Sequence, residues 1–147
     1  MAMPELDASL DPLRQWFSAW EACVRAVDTA SARALFDKSV VAFGTHAEFV
    51  SGLEALEAEQ WRAIWPNITD FRFLVDKLRG EIGEAHAWAA VPWTSTGYDE
   101  HGSAFARPGR ATVTFRRDGE RWVGMHTHFS LKPGIPPRTH GRATAKP

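Results

Sequence analysis

A chain of 147 residues with 44% apolar and 24% charged side chains is sized for one domain with a substantial core. Its formal net charge of −1 removes the electrostatic case for nucleic acid or an anionic membrane as the main partner. A single cysteine, Cys23, excludes an intrachain disulfide, and no apolar run approaches the roughly 18 residues that a membrane-spanning helix needs.

Seven Trp and nine Phe stand against one Tyr. That balance implies large aromatic volumes in a core, around a cavity or at a subunit interface. Residues 1–8 read as a loose leader with no basic region followed by an apolar run. No secretory signal is therefore expected, and a cytoplasmic location follows by default. Asp11 can cap a helix and Pro12 suits its first turn, so a first helix is expected from Ser9 or Asp11. Leu13, Phe17, Trp20, Val24 and Val27 recur along it at three- and four-residue spacing, with Trp16 and Cys23 widening the stripe.

A short second helix is predicted from about Thr29 to Phe36, then a strand over Ser39–Gly44. A turn through His46 and a brief return strand from Phe49 to Gly52 come next. Leu53 to Trp65 reads as a third helix, ended by Pro66. Beyond it the period changes from 3.6 to 2. Strands are expected over 71–79, 84–94 and 110–117, with a polar loop from Tyr98 to Gly102. Trp88 and Trp93 differ by an odd number of positions, so they share a face only if Pro92 makes a bulge. The last 16 residues, 132–147, are rich in Pro, Gly and basic side chains and are expected to be disordered or docked.

The most informative stretch is Phe115 to Pro133, FRRDGERWVGMHTHFSLKP. Asp118-Gly119 between alternating runs is a strong hairpin signal, because such turns need residues that tolerate positive φ. The loop is expected to hold two to four residues. By simple alternation Trp122, Gly124, His126, His128 and Ser130 share one face of the strand after the turn, and Val123, Met125, Thr127, Phe129 and Leu131 the other. Bulk on both faces predicts a central strand covered on both sides. Helices first and long strands last give an α+β class.

Taken with this element order, the phrases Phe43-Gly44, G-x-E-A-L at Gly52–Leu56, R-x-T at Arg110–Thr112 and R-D-G-x-x-W-x-x-x-H-x-H-x-S at Arg117–Ser130 resemble the NTF2-like superfamily. Within it the chain is similar to SnoaL-like proteins and to the association domain of calcium/calmodulin-dependent kinases. The resemblance implies a cone-shaped α+β barrel over residues 9–133, a bent antiparallel sheet wrapped around the N-terminal helices, flanked by flexible tails at 1–8 and 134–147. It also implies an interior pocket and a homodimer formed through the outer sheet face. Superfamily members include isomerases, cyclases, dehydratases and proteins without catalysis, so fold alone does not select a function. A ketosteroid-type isomerase needs a pocket carboxylate and a Tyr-plus-acid oxyanion hole. This chain offers one Tyr, Tyr98 in a predicted loop, and Asp76 as the acid within the predicted pocket strands.

Candidate chemistry centres on histidine. His126 and His128 lie two apart on one strand face, a spacing that suits a metal pair only with a third donor such as His46 or His86. No metal or cofactor is expected. The blander reading has one of the pair as a hydrogen-bonded core group and the other wet. As proton carriers the candidates are His126, His128 and His46. Ligand-binding candidates are Trp16, Trp20, Phe43, Trp61, Trp88, Trp93, Arg110 and Thr112, with Arg110 able to meet a carboxylate if its face lines the pocket. The expected function is an apolar or aromatic small-molecule pocket protein, with acid–base isomerisation, cyclisation or dehydration as its chemistry. The alternative is a non-catalytic association or sensing domain that oligomerises through its sheet face. The expected partners are an unidentified small molecule and a second copy of the chain, with neither nucleic acid nor membrane.

Overall fold

The computed structural model describes residues 6–45 and 48–143. The first helix, α1 (Asp11–Ala26), carries Pro12 in its first turn and ends at Val27, which takes the left-handed conformation. Its Leu13, Trp16, Phe17, Trp20 and Val24 are buried, as their spacing requires. α2 (Thr29–Arg33) is capped by the Asp28 carboxylate, which accepts from the Ser31 N–H. It stops earlier than its sequence suggests because Phe36 opens β1 (Phe36–Phe43) and packs between Trp16, Trp20 and Trp61.

β2 (Phe49–Ser51) returns along β1. The third helix is one irregular rod. It runs through α3 (Leu53–Leu56), a π-helical turn (Glu57–Trp61), α4 (Arg62–Ile64) and a 3-10 turn (Trp65–Asn67). The extra residue of a π turn rotates the rest of the helix, and Trp61 and Trp65 end up stacked at 4.8 Å.

The strand expected over 71–79 is two strands. β3 (Thr69–Phe73) and β4 (Arg79–Ile82) are split by a 3-10 turn (Val75–Lys77) and pair in tandem with β5 (His86–Tyr98). Asp76 therefore sits exposed in that turn rather than in a pocket strand. β5 runs through Tyr98, expected in a loop, because the Tyr98 hydroxyl is buried against Thr69 Oγ1 at 2.7 Å. A short β6 (Ala104–Ala106), unforeseen, pairs with its end. β7 (Gly109–Asp118) and β8 (Arg121–Leu131) form the predicted hairpin, closed by Gly119-Glu120 with Gly119 at φ +65°.

The sheet is ordered β2-β1-β8-β7-β5-β3, with β4 and β6 also on β5, and β1 runs parallel to β8. It is a curved, unclosed sheet with the helices gathered against one face, the α+β cone that the closing motif implied. Ala89, Val91 and Trp93 of β5, Ala111, Val113 and Phe115 of β7, and Thr127 of β8 face the helices and are buried.

Simple alternation fails on β8 at one point. Thr114 pairs with His126 but Phe115 with Gly124, so Met125 is an extra, bulged residue. The bulge sends Gly124 inward, where a Cβ would lie 2.7 Å from the Phe36 ring, while His126 and His128 face outward against Phe43. Trp122 and Gly124 thus do not share a face with the histidines, and among the described residues no helix covers the outer face. On β5 the pairing with β7 is unbroken from His86 to Trp93. Pro92 makes no bulge, Trp88 points out, and Trp93 points in.

Residues 132–143 dock. Thr139 Oγ1 donates to the Asn67 carbonyl at 2.7 Å and accepts from the Tyr98 N–H at 2.9 Å, and the His140 N–H donates to the Tyr98 carbonyl. No helix among the described residues is long and apolar enough to cross a membrane.

Candidate functional site

Between the irregular third helix and the concave sheet lies a small, partly open cavity of about 40 Å³. Trp20 of α1, Trp61 and Trp65 of the third helix, Phe71, Trp93 of β5 and Phe129 form its aromatic wall, with Gln60, Ile64 and Ile68 beside them. Gln60 and Trp61 reach the same cavity as Ile64 and Trp65 because residues four apart share a helix face. Gly109 matters too, since any Cβ there would collide with the Trp93 ring and the Ser130 carbonyl, so only glycine lets Trp93 lie flat over the β7 start.

Among the described residues the one charged side chain in the wall is Arg107, from the link between β6 and β7. It is 2% exposed. Its Nη2 donates to Thr45 Oγ1 at 3.4 Å and to the Pro137 carbonyl at 3.3 Å, both long for a charged donor. Its guanidinium lies 5.7 Å over the Trp93 ring, a cation–π contact. Arg107 has no carboxylate partner among the described residues, and burial pushes its pKa down from 12.5 to about 10. Four residues of the cavity wall each carry a buried donor without a hydrogen-bond acceptor: Trp20 Nε1, Trp61 Nε1, Trp93 Nε1 and Arg107 Nε.

The sequence candidates divide between two faces. Trp20, Trp61 and Trp93 line the cavity. Trp16 is a neighbouring core side chain, edge-on to Phe17, Trp20, Phe36 and Phe115. Phe43, Trp88, Arg110 and Thr112 lie on the outer sheet face, remote from the cavity wall. Arg110 is exposed, and its Nε donates to Ser130 Oγ at 3.2 Å.

His126 is half-buried and its Nδ1 lies 2.7 Å from the Val41 carbonyl. A carbonyl only accepts, so Nδ1 carries the proton. His128 is exposed beside Phe43. Neither ring lines the cavity, and His46 lies outside the described residues. No group of three His, Cys, Asp or Glu among the described residues is arranged to hold a metal ion.

Sequence reasoning missed Arg107, Gln60 and Phe129. Arg107 gives no periodic signal, since it occupies an irregular link before Pro108. The cue available was a lone charge inside the small-residue run S-A-F-A-R-P-G.

In three dimensions the chain is similar to a candidate calcium/calmodulin-dependent protein kinase II association domain from Xanthomonas campestris, with a TM-score of 0.73 and 17% identity over 92% of this chain and 95% of that one. It is also similar to a candidate dehydratase of the NTF2-like family from Streptomyces avermitilis, with a TM-score of 0.71 and 16% identity over 86% and 99% of the two chains. An NTF2-like protein of unknown function from Pseudomonas putida KT2440 gives a TM-score of 0.70 and 22% identity over 94% and 97%. At such identities the likeness carries the fold and no activity. No curated protein matches. The model of the SnoaL-like domain matches residues 13–134, and with its bent sheet over N-terminal helices the chain belongs to the SnoaL-like family.

Proposed function

We propose that this protein binds a compact, acceptor-bearing small molecule in the cavity between its third helix and its sheet. The observation that carries the reading is that four residues around one aromatic-walled space carry a buried donor without an acceptor, three indole N–H groups and Arg107 Nε. Each buried donor left without a partner costs about 1–3 kcal/mol, and native interiors rarely tolerate several side by side. A ligand presenting oxygen acceptors satisfies them, while the aromatic wall takes its apolar part.

Binding is favoured over turnover. Isomerisation, cyclisation or dehydration needs a titratable group in reach of the substrate, and the described lining residues include no His, Asp or Glu. The acid–base variant of the reading keeps one candidate, His46, which comes directly after the lining residue Thr45 in the chain. Homodimerisation through the outer sheet face accompanies the pocket in this reading, supported by the exposure of Trp88 and Phe49.

The test is a titration of small aromatic amides and acids monitored by tryptophan emission, with Ile64→Trp as the blocked variant. Saturable quenching in the wild type that disappears in Ile64→Trp is the expected result. Quenching that persists unchanged in the filled cavity puts the binding elsewhere and sinks the reading.

A further inference from the structure

We propose that the cavity is a carboxylate site built on Arg107 and closed by a strap, residues 132–143, whose Pro137 carbonyl occupies the place that a ligand carboxylate takes. This assignment of a ligand class and a means of access rests on the binding function proposed for the same cavity.

Arg107 supplies the first half. A guanidinium is a rigid planar fork that matches a carboxylate edge-on through two donors. Here the fork is almost fully buried and its Nε makes no hydrogen bond. The two acceptors it does meet are neutral oxygens at 3.4 and 3.3 Å. A buried cation is ordinarily matched by an anion, and none of the described ion pairs involves Arg107. One cation among neutral indole N–H donors suits a monoanion with two oxygens better than a multiply charged phosphate. Phe71, Trp93 and Phe129 around it suit an apolar or aromatic remainder.

The strap supplies the second half. A space of about 40 Å³ holds little more than water, well short of the roughly 300 Å³ or more of an ordinary ligand pocket. Against the strap lies a cleft of about 440 Å³, walled by Ala63, Ile64, Asn67, Pro137, Arg138 and Thr139. The cleft shares Ile64 with the cavity, and Pro137 in its wall is the residue whose carbonyl reaches Arg107. The strap lines the cleft and not the cavity, and meets the cavity wall through the Pro137 carbonyl at Arg107; lifting it frees that guanidinium toward the cleft.

Its hydrogen bonds to the rest of the fold are few: the Lys132 N–H to the Pro108 carbonyl, Thr139 to Asn67 and Tyr98, the His140 N–H to the Tyr98 carbonyl, and Pro137 to Arg107. Pro136, Pro137, Arg138 and His140 are exposed. Segments held by surface hydrogen bonds with little apolar burial open most readily. A carboxylate arriving from the cleft exchanges a long, neutral contact at Arg107 for a charged one, so occupancy and strap opening are coupled at a single guanidinium.

The experiment pairs acids with their neutral amides: acetate with acetamide, benzoate with benzamide, phenylacetate with phenylacetamide. Each is titrated calorimetrically into the full chain at pH 7. At least one acid is expected to bind tenfold or more tightly than its amide. Arg107→Met is expected to abolish that preference while still binding the amide, which also shows that the variant folds. In stopped-flow tryptophan fluorescence Thr139→Ala, which loosens the strap without touching the cavity, is expected to raise the association rate of the preferred acid several-fold.

Acids and amides binding equally to the wild type would overturn the carboxylate site and leave the pocket standing. No binding by any probe up to 10 mM would overturn both. A preference that survives in Arg107→Met moves the anion away from Arg107, and an association rate unchanged in Thr139→Ala removes the strap as gate.

Discussion

Two arginines three residues apart divide the chemistry of this chain. Arg110 drew attention because it sits in a clear strand within R-x-T, yet it is exposed on the outer sheet face and touches Ser130. Arg107, in the link before Pro108, turns into the interior. Nothing in periodicity distinguishes them, because burial of Arg107 depends on the third helix and the strap closing over it, contacts distant in sequence. Its burial carries an energetic cost. A base whose pKa is lowered on folding, here by burial to about 10, makes the folded state less stable at every pH below that value and relieves the cost only above it. Removing the charge should therefore stabilise the empty protein. Arg107→Met gives up one cation–π contact and two long hydrogen bonds, and the exposed Pro137 can turn its carbonyl to water. By analogy with buried charges replaced by apolar side chains, the gain should be about 1 kcal/mol or more, which for a domain of this size is about 3 °C in Tm. Scanning calorimetry on the unliganded proteins checks it. A Tm lowered by several degrees would show that Arg107 holds the fold together and is not kept for a ligand.

Among the elements, the third helix is the irregular one. Its apolar spacing was legible, including Trp61 and Trp65 one turn apart, but the π turn was not, since no residue type in EAEQW announces one. What holds the turn is electrostatic. Glu57 at its start accepts from Arg62 at 2.6 Å and pairs with Arg33 of α2, tying two helical segments together. Hydrogen bonds from Arg62, and next from Arg33, pull its pKa from 4.5 down to about 2. Asp37 in β1 is pulled from 3.8 to about 2 by Ser39 and then by Arg116. For carboxyls lowered in the folded state, the added stability is complete above their unfolded values and is lost as pH falls through the folded ones. Thermal stability should thus hold steady down to about pH 5 and decline between about pH 4.5 and 2. Glu57→Gln should start from a lower Tm at pH 7 and show a shallower acid decline. Tm measured against pH for both proteins decides it, and parallel acid limbs would mean that Glu57 does not couple the segments. The bulge at Met125 was equally hidden. It inverts the facing of half of β8, and only the paired register with β7 exposes it.

At the scale of the whole molecule, order and class were readable because helical and strand periods separate cleanly along the chain and Asp118-Gly119 marks the last hairpin. The sheet's two faces were not, since a one-residue shift exchanges them. The structure assigns the concave face to the cavity and leaves the convex face without a helical cover. That face carries Trp88, 43% exposed on β5, and Phe49, 68% exposed on β2 and 4.5 Å from Phe43. Trp88 and Met125 also line a broad groove with Glu81 and His86. Large aromatics on an otherwise polar surface mark an interaction site, and a stable symmetric contact needs about 800 Å² from each copy, which an open sheet face can supply. A second copy placed face to face would bury Trp88 and add the interface-type aromatic anchors that dominate such contacts. Light scattering should then give a mass of about twice 16.4 kDa. Trp88→Glu, which buries a charge at the centre of that contact, should give the monomer, whereas Glu59→Lys on the exposed side of the third helix should leave the dimer intact. Because Trp88 and the cavity lie on opposite sides of β5, the monomeric variant should keep its ligand response. A wild-type monomer at tens of micromolar would exclude the face-to-face dimer. A Trp88→Glu monomer that also loses the response would mean that dimerisation holds the sheet in the curvature the cavity requires.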